Sequence, residues 1–524
     1  MNNKTFIDID ISEITDGIGL NIIINNNGDS DIENLVLEIN TEDKTIIIPK
    51  NQYEISYLSS GESINIHITL FGFNIGLIRD YSKISFIIRD ESSIFIDGHI
   101  TCSIIGPFVS IISRYFNDDE NVEGYILYCP MWSTTTYLIN KEGEVVHTWK
   151  NSIYQDSQST YLLENGNLVR ASLVATSSFL AGGYQGRVEI FDWNDTRIWN
   201  FEYSTDDYCS HHDVQPLPNG NILFISWGRF TRQEAINAGR NPNNIQIDYL
   251  WSDYIIEVEP NGESGGIIVW EWHAWDHLIQ DYDDTKENYG GVIDHPELIN
   301  VNYGDRRSDW LHTNSIDYNP DLDQILLSVH NFNEIWIIDH STTNKEAASH
   351  TGGLYGKGGD ILYRWGNPIT YDAGTRNDQK YFGQHGATWV KPEYPGEGNI
   401  LVFNNGAGES ERYSTIDEII PPINEYGNYD YTENQAYEPK EQSWIFNTEN
   451  PQDMYSMITS NVLRLQNGNT LICASNQGYF LEVTYEKEVV WEYNNPYPLG
   501  FINKGVARIK WYSDDYPGLK FLFN

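Results

Sequence analysis

The sequence predicts an all-β protein, a six-bladed β-propeller preceded by a small antiparallel β-sandwich. Three observations carry that expectation. Five stretches, 163–203, 217–272, 319–365, 394–444 and 465–493, repeat one pattern: a turn ending in Asn-Gly or its equivalent, an apolar strand, and an acidic strand closing on an aromatic residue. A period of a few tens of residues with several strand-like pieces marks stacked blades, since a lone four-stranded sheet cannot bury both faces. Ahead of these repeats, alternating runs such as GIGLNIIINNNG, KTIIIPKNQYEISYL and KISFIIRD are split by Asn, Gly, Asp and Ser turns, the pattern of a sandwich. Helical periodicity is scarce, and its clearest instance is TRQEAINAGR at 231–240.

Taken in order, residues 1–105 form the sandwich, whose NNNGDSDIENLVLEI and LSSGESINI pieces resemble bacterial immunoglobulin-like modules and carry no catalytic cluster. Residues 106–524 form the propeller. From Tyr125, YILYCPMWSTTTYLINKEGEVVHTW supplies the outer strands of a blade, and the C-terminal GVARIKWYSDDYPGLKFLF has inner-strand character. Joined, they complete a sixth blade and close the ring without exposed edges. The insertions at 272–290 and 409–441 are long enough to cover one end of a central channel. Trp199, Trp270, Trp365 and Trp491 end strands at a repeated place, which is blade packing and not a sugar platform.

Charge excludes some partners. With 32 Lys and Arg against 75 Asp and Glu, the formal net charge of −43 argues against nucleic acid or an anionic membrane surface as a partner. No window is apolar enough to insert in a bilayer, and the start, MNNKTFIDIDISEI, has no leader pattern. As written the chain reads as cytoplasmic; as a mature form it would be periplasmic or secreted. Cys102, Cys129, Cys209 and Cys473 are too widely spaced for a zinc ribbon or disulfide framework and read as buried thiols, with Cys209 near the channel. Association into a homo-oligomer through residues 1–105 stays open.

The functional clue is histidine. Three repeats begin their inner strand with one: Cys209-Ser210-His211-His212-Asp213, Trp310-Leu311-His312-Thr313-Asn314 and Phe382-Gly383-Gln384-His385-Gly386. In a propeller such residues meet on the axis despite their separation in sequence. Other candidates are weaker. His273 and His277 lack the intervening carboxylate of a metalloprotease helix and read as packing. Asp281, Asp283, Asp284 and Glu287 lack the Gly and terminal Glu of a calcium loop. The glycines of 352–359 lack a phosphate loop's strand-to-helix setting.

HHDVQPLPNGNIL, DWLHTNSIDYN with ILLSVH, and YFGQHGATW with GNILVFNNG resemble, in order, the bacterial arylsulfate sulfotransferases, six-bladed propellers behind a small β-sandwich. The resemblance runs over about 400 residues from Tyr125. It implies a transferase that moves a sulfuryl group from an aryl sulfate to a phenolic acceptor through a sulfated histidine, with no nucleotide and no cofactor. It makes His385 the nucleophile, places His312 and Asn314 on the sulfuryl oxygens, and gives the channel wall to His212 or His211. The residue types suit this chemistry, because a neutral imidazole is nucleophilic near neutrality and a second can shuttle the phenol proton. One departure stands out. Where the family has an arginine after the HxN motif, this chain reads Leu327-Ser328-Val329-His330-Asn331, leaving His330 and Asn331 as substrate-binding residues without a guanidinium fork.

That loss opens an alternative, an oxygenase, oxidase or lyase holding one iron or copper ion with His212, His312, His330 and His385. The carotenoid-cleaving oxygenases hold iron with four histidines in this way. Glu334 would then be the acceptor that fixes a ring tautomer. A third reading is a non-catalytic propeller that binds a ligand or protein.

Overall fold

The computed structural model describes residues 7–73, 81–116, 122–175, 178–246, 248–304, 306–407, 412–498 and 504–523. It is all-β. Ile9–Thr15, Leu20–Asn26 and Ser63–Ile68 form a three-stranded sheet, which faces a second sheet containing Ile32–Asn40, Ser82–Arg89 and Ile94–Gly106. Strict alternation builds the core between them. Leu20, Ile22 and Ile24 from one layer meet Ile84, Phe86 and Ile88 from the other, and all are buried.

Most of the remaining chain forms four-stranded antiparallel units. Their innermost strands are β1 (Asp156–Leu162), β2 (Tyr208–Pro216), β3 (Thr313–Asn319), β4 (His385–Trp389), β5 (Asn461–Arg464) and β6 (Val506–Ser513). Neighbours in this series touch, and β6 touches both β5 and β1, so the inner strands close a ring. The C-terminal β6 lies beside Gly124–Pro130 and completes the sheet that holds Thr136–Asn140 and Val145–Trp149. Trp199, Trp270, Trp365 and Trp491 are buried at strand positions, where their indole N–H groups donate to backbone or hydroxyl oxygens of neighbouring segments.

The division at residue 105 falls at the tip of a hairpin, and the sheet continues through it. Phe108–Phe116 pairs with Ile94–Gly106 on one side and with Val489–Asn494, the outermost strand of the β5 unit, on the other. Ser113 lies opposite Tyr493 and Tyr115 opposite Trp491, while Arg114 pairs with Glu492 at 3.0 Å. One 12-stranded sheet therefore runs from the sandwich into the ring.

The short helix Arg232–Asn237 has Thr231 as N-cap in a reciprocal capping box with Glu234. All four cysteines are free and buried, and Cys209 packs with Phe179 and Trp227 instead of lining the channel. Among the described residues no helix is long and apolar enough to cross a membrane. The two insertions pack against neighbouring units. Within 272–290, His277 reaches Asp360 of the neighbouring unit. Of 409–441, residues 409–411 lie outside the described residues. Gly427 and Tyr429 of the rest bond Gln324, which pairs with Asn319 at the end of β3 away from His312.

His340 ties two units together. Its Nδ1 meets Asp323 at 2.7 Å and its Nε2 meets Glu257 at 3.0 Å, between the rings of Trp270 and Tyr318. Burial alone would lower the imidazole, but the two carboxylates outweigh it and raise it to about 9. A folded value above the unfolded 6.5 makes this tie fully stabilising below that pH and lost as pH rises through about 9. Its contribution is up to roughly 3 kcal/mol. Thermal melts are expected to show a falling midpoint between about pH 7 and about pH 10, and His340→Gln should flatten that segment.

Candidate active site

Each histidine-bearing inner strand is interrupted where its histidine sits. Register shifts fall between Ser210 and Val214 in β2, Thr313 and Ser315 in β3, and His385 and Thr388 in β4. Bulges of this kind re-aim side chains, at the cost of local pairing. The backbone is also in the left-handed region at His212 (φ 58°) and His312 (φ 55°), a conformation that costs about 1–2 kcal/mol and must be held by its surroundings. Part of the holding at His212 is its N–H, which donates to the Gly183 carbonyl at 2.7 Å.

The result is an arc of imidazoles. Ring centroids lie 4.4 Å apart for His212 and His312, 5.2 Å for His312 and His330, and 5.3 Å for His330 and His385, all edge to face. His211 turns away from the arc and stacks on Trp227 at 3.8 Å, so His212 is the member of the pair that joins it.

In every ring of the arc Nδ1 is occupied, which leaves Nε2 for chemistry. His385 Nδ1 donates to the Gly383 carbonyl (3.0 Å) and to Asn405 Oδ1 (2.9 Å). Asn405 is itself pinned, donating to the Ser456 and Thr459 carbonyls. Two acceptors on Nδ1 place the proton there and the lone pair on Nε2. His330 Nδ1 donates to Asn331 Oδ1 at 2.9 Å, and Asn331 in turn donates to the Asp309 carbonyl. His312 Nδ1 pairs with the Asp309 carboxylate. The Nδ1 atoms of His211 and His212 lie 2.8 Å apart, so one ring donates to the other.

These environments divide the rings by charge. Burial, reinforced by neighbouring positive groups, pushes His212 and His385 well below the ordinary imidazole value, and His330 falls to about 4. His312 goes the other way. Burial opposes its protonation, but the Asp309 carboxylate outweighs it and raises the ring. Nearby Asp253 is lifted by burial to about 7, holds the Thr313 N–H at 2.6 Å, and lies 3.8 Å from His211 Nε2.

Arg508 of β6 is a buried cation among the inner strands. Its guanidinium, 6% exposed, pairs with Asp213 at 2.8 Å and donates to the carbonyls of His212 and Asn314. It thus joins β6, β2 and β3. Asn314 is fully buried and donates to the Gln384 carbonyl at 2.7 Å, holding the residue before His385.

Glu334 does not serve the arc. Its carboxylate is fully buried and taken by Arg364 (2.6 Å), Trp336 Nε1 and Thr370, which is a structural pair and not a partner of His330. The donor set also fits a single iron or copper ion poorly. Among the described residues, the group of three or more His, Cys, Asp or Glu whose ligand atoms lie within 4.8 Å of one another is His277, His350 and Asp360, and no three of the four axial histidines meet that condition.

Asp309, Asn405 and Arg508 are functional residues that sequence reasoning passed over. Asp309 stands three residues ahead of His312, and Asn405 follows the apolar strand Ile400–Asn404 in FNNG. An arginine within the inner-strand run VARIKWYS was the signal for the third.

A model of the arylsulfotransferase (ASST) family matches residues 118–497, more than half of the chain and all of the arc. The chain belongs to the arylsulfotransferase family. Membership supports an aryl sulfotransferase-like function, that of a transferase, on an all-β propeller fold. Arg508 lies beyond the matched stretch. A search of curated proteins finds no match to this family member. Solved structures similar to it include a Bacteroides caccae protein of unknown function (13% identity, TM-score 0.40, 75% of this chain and 99% of that one). A putative 6-phosphogluconolactonase from Bacteroides fragilis (10%, 0.38, 75% and 99%) and virginiamycin B lyase from Staphylococcus aureus (11%, 0.31, 69% and 85%) are also similar. Likenesses at this level carry nothing about activity.

Proposed function

We propose that this arylsulfotransferase-family chain transfers a sulfuryl group from an aryl sulfate to a phenol through a sulfated His385, without nucleotide or metal. The observation that carries the reading is the opposed protonation of two histidines in one arc: His385 neutral with Nε2 free, His312 protonated on Asp309. In the first half-reaction His385 Nε2 forms a bond to sulfur as the bond from sulfur to the aryl oxygen breaks. The departing phenolate takes its proton from His312. In the second half, an incoming phenol returns a proton to His312, its oxygen bonds sulfur, and the N–S bond breaks to restore neutral His385. Splitting one displacement in two in this way needs a good nucleophile and a resident acid and base.

His212 and His330 flank the reacting pair; His212, in the tautomer that accepts at Nδ1 from His211, presents its Nε2–H to the sulfuryl oxygens, whereas His330, whose Nδ1 proton is held by Asn331, lines the wall beside them. Asn331 and Asn314 are positioning residues, the first for the His330 ring and the second for the backbone before His385. In place of the guanidinium fork expected beside the HxN motif, the positive charge comes from the His312 imidazolium, with Arg508 behind it. Exposed Trp132, Leu180, Met457 and Ile458 sit in loops that lead to or from the histidine ends of the inner strands and suit an aryl group.

Two experiments test this. Intact mass after mixing with 4-nitrophenyl sulfate in the absence of acceptor is expected to show one added sulfuryl group, absent in His385→Ala; an unmodified wild-type protein with no turnover would overturn the proposal. Gly183 provides the second. It sits at φ +78°, and a Cβ there would lie 2.2 Å from the His212 ring, so Gly183→Ala has to displace that ring. Turnover is expected to fall by about 10²-fold with circular dichroism unchanged.

A further inference from the structure

Outside the axial arc, His277, His350 and Asp360 bring ligand atoms together. His277 follows Gly266–His273, the outer strand of the β2 unit, whereas His350 and Asp360 bracket the glycine-rich loop of the β3 unit. His277 is fully buried and rigidly placed. Its ring stacks on Trp272 (centroids 5.7 Å, 8°), and Trp272 Nε1 donates to the Gly359 carbonyl at 2.6 Å. A Cβ at Gly359 would lie 2.6 Å from His277 Nε2, so only glycine lets the loop pass so close.

Hydrogen-bond accounting gives the second observation. His277 Nε2 lies 2.8 Å from the Ala347 carbonyl, which can only accept, so the Nε2 proton is fixed there. The Nδ1 lone pair of the neutral ring then points at Asp360 Oδ1, another acceptor, 2.8 Å away. A cation belongs between them, either a second proton on the ring or a bound metal ion. His350 Nδ1 reaches the same Asp360 oxygen at 2.8 Å. Two imidazole nitrogens and one carboxylate oxygen converging on one point, with a backbone carbonyl setting the buried ring's tautomer, is the donor set of a zinc-type dication.

We propose that His277 Nδ1, His350 Nδ1 and Asp360 Oδ1 bind a divalent transition metal of the zinc type, with water in the fourth position. Bonds of about 2.0–2.2 Å at tetrahedral angles separate ligand atoms by about 3.4 Å, so each nitrogen, now 2.8 Å from Asp360 Oδ1, moves about 0.6 Å away from that oxygen on binding. His350 can supply that movement, because its side chain is 59% exposed. It also lines a cleft of about 650 Å³ formed with Trp275, Asp276 and His295, which gives the ion a route in. The ion would tie the insertion after the β2 unit to the loop of the β3 unit. It is separate from the sulfuryl-transfer reading and needs nothing from it.

The test uses the full-length protein stripped with a chelator, dialysed and titrated with Co²⁺. One equivalent is expected, with the visible absorption of a tetrahedral site, displaced by Zn²⁺. His350→Ala, which removes an exposed side chain, should weaken binding by more than about tenfold with an unchanged circular dichroism spectrum, and Asp360→Asn likewise, whereas His385→Ala should bind as wild type. No stoichiometric Co²⁺ in the wild type, binding unchanged in His350→Ala, or binding lost only in His385→Ala would each overturn the proposal.

Discussion

His385→Ala is expected to lower turnover of an aryl sulfate by at least about 10³-fold, the scale of losing a covalent nucleophile. The ring is small, packed and neutral, so its removal leaves no buried charge, and the fold should survive. Three readings of the arc separate in this one variant. A nucleophile gives loss of both turnover and the sulfuryl adduct. A ring that only binds the sulfate gives a raised KM with much of kcat kept. A structural ring gives a lower melting temperature and normal kinetics in the folded fraction. Steady-state kinetics with 4-nitrophenyl sulfate and a phenol, run beside a melting curve, distinguishes them.

Asp309→Asn is expected to give the second largest effect, about 10²-fold to 10⁴-fold in kcat. Its pattern is more telling than its size. Asp309 raises His312, so turnover in the wild type should hold while that ring is protonated and fall as pH rises past its elevated value. Without the carboxylate the ring loses its proton earlier, and the alkaline limb moves to lower pH. His385 lies far below neutrality, so the acid limb should stay where it is. The loss should also grow with the basicity of the leaving phenolate, being larger for phenyl sulfate than for 4-nitrophenyl sulfate. An alkaline limb that does not move in Asp309→Asn would remove His312 from the acid's role.

How much of this was legible in the sequence depends on distance along the chain. The all-β class and the repeated units were readable, because alternation and Asn-Gly turns are local signals that each strand carries by itself. The convergence of His212, His312 and His385 was readable for the same reason, since each begins an inner strand of its unit. What each ring would be bonded to was not. Asn405 and Arg508 reach their partners across 20 and 296 residues of sequence, pairings that no local pattern specifies, whereas Asp309 stands three residues from His312 and its contact depends on the left-handed backbone at that histidine. Glu334 shows the converse. It stands near His330 in the sequence, yet Arg364, 30 residues later, claims its carboxylate. His277 was read with His273 at helical spacing, although its partners lie 70 and 83 residues downstream.

The strand Phe108–Phe116 is shared by two bodies that the sequence divides. Hydrogen-bonded on both edges, it makes the first hundred residues a seal on the last unit of the ring, and not a passenger on a tether. Excising them would bare the edge of Phe108–Phe116 that now pairs with Ile94–Gly106 to any other extended chain. Truncation of this protein is therefore a route to self-association before it is a route to a smaller enzyme.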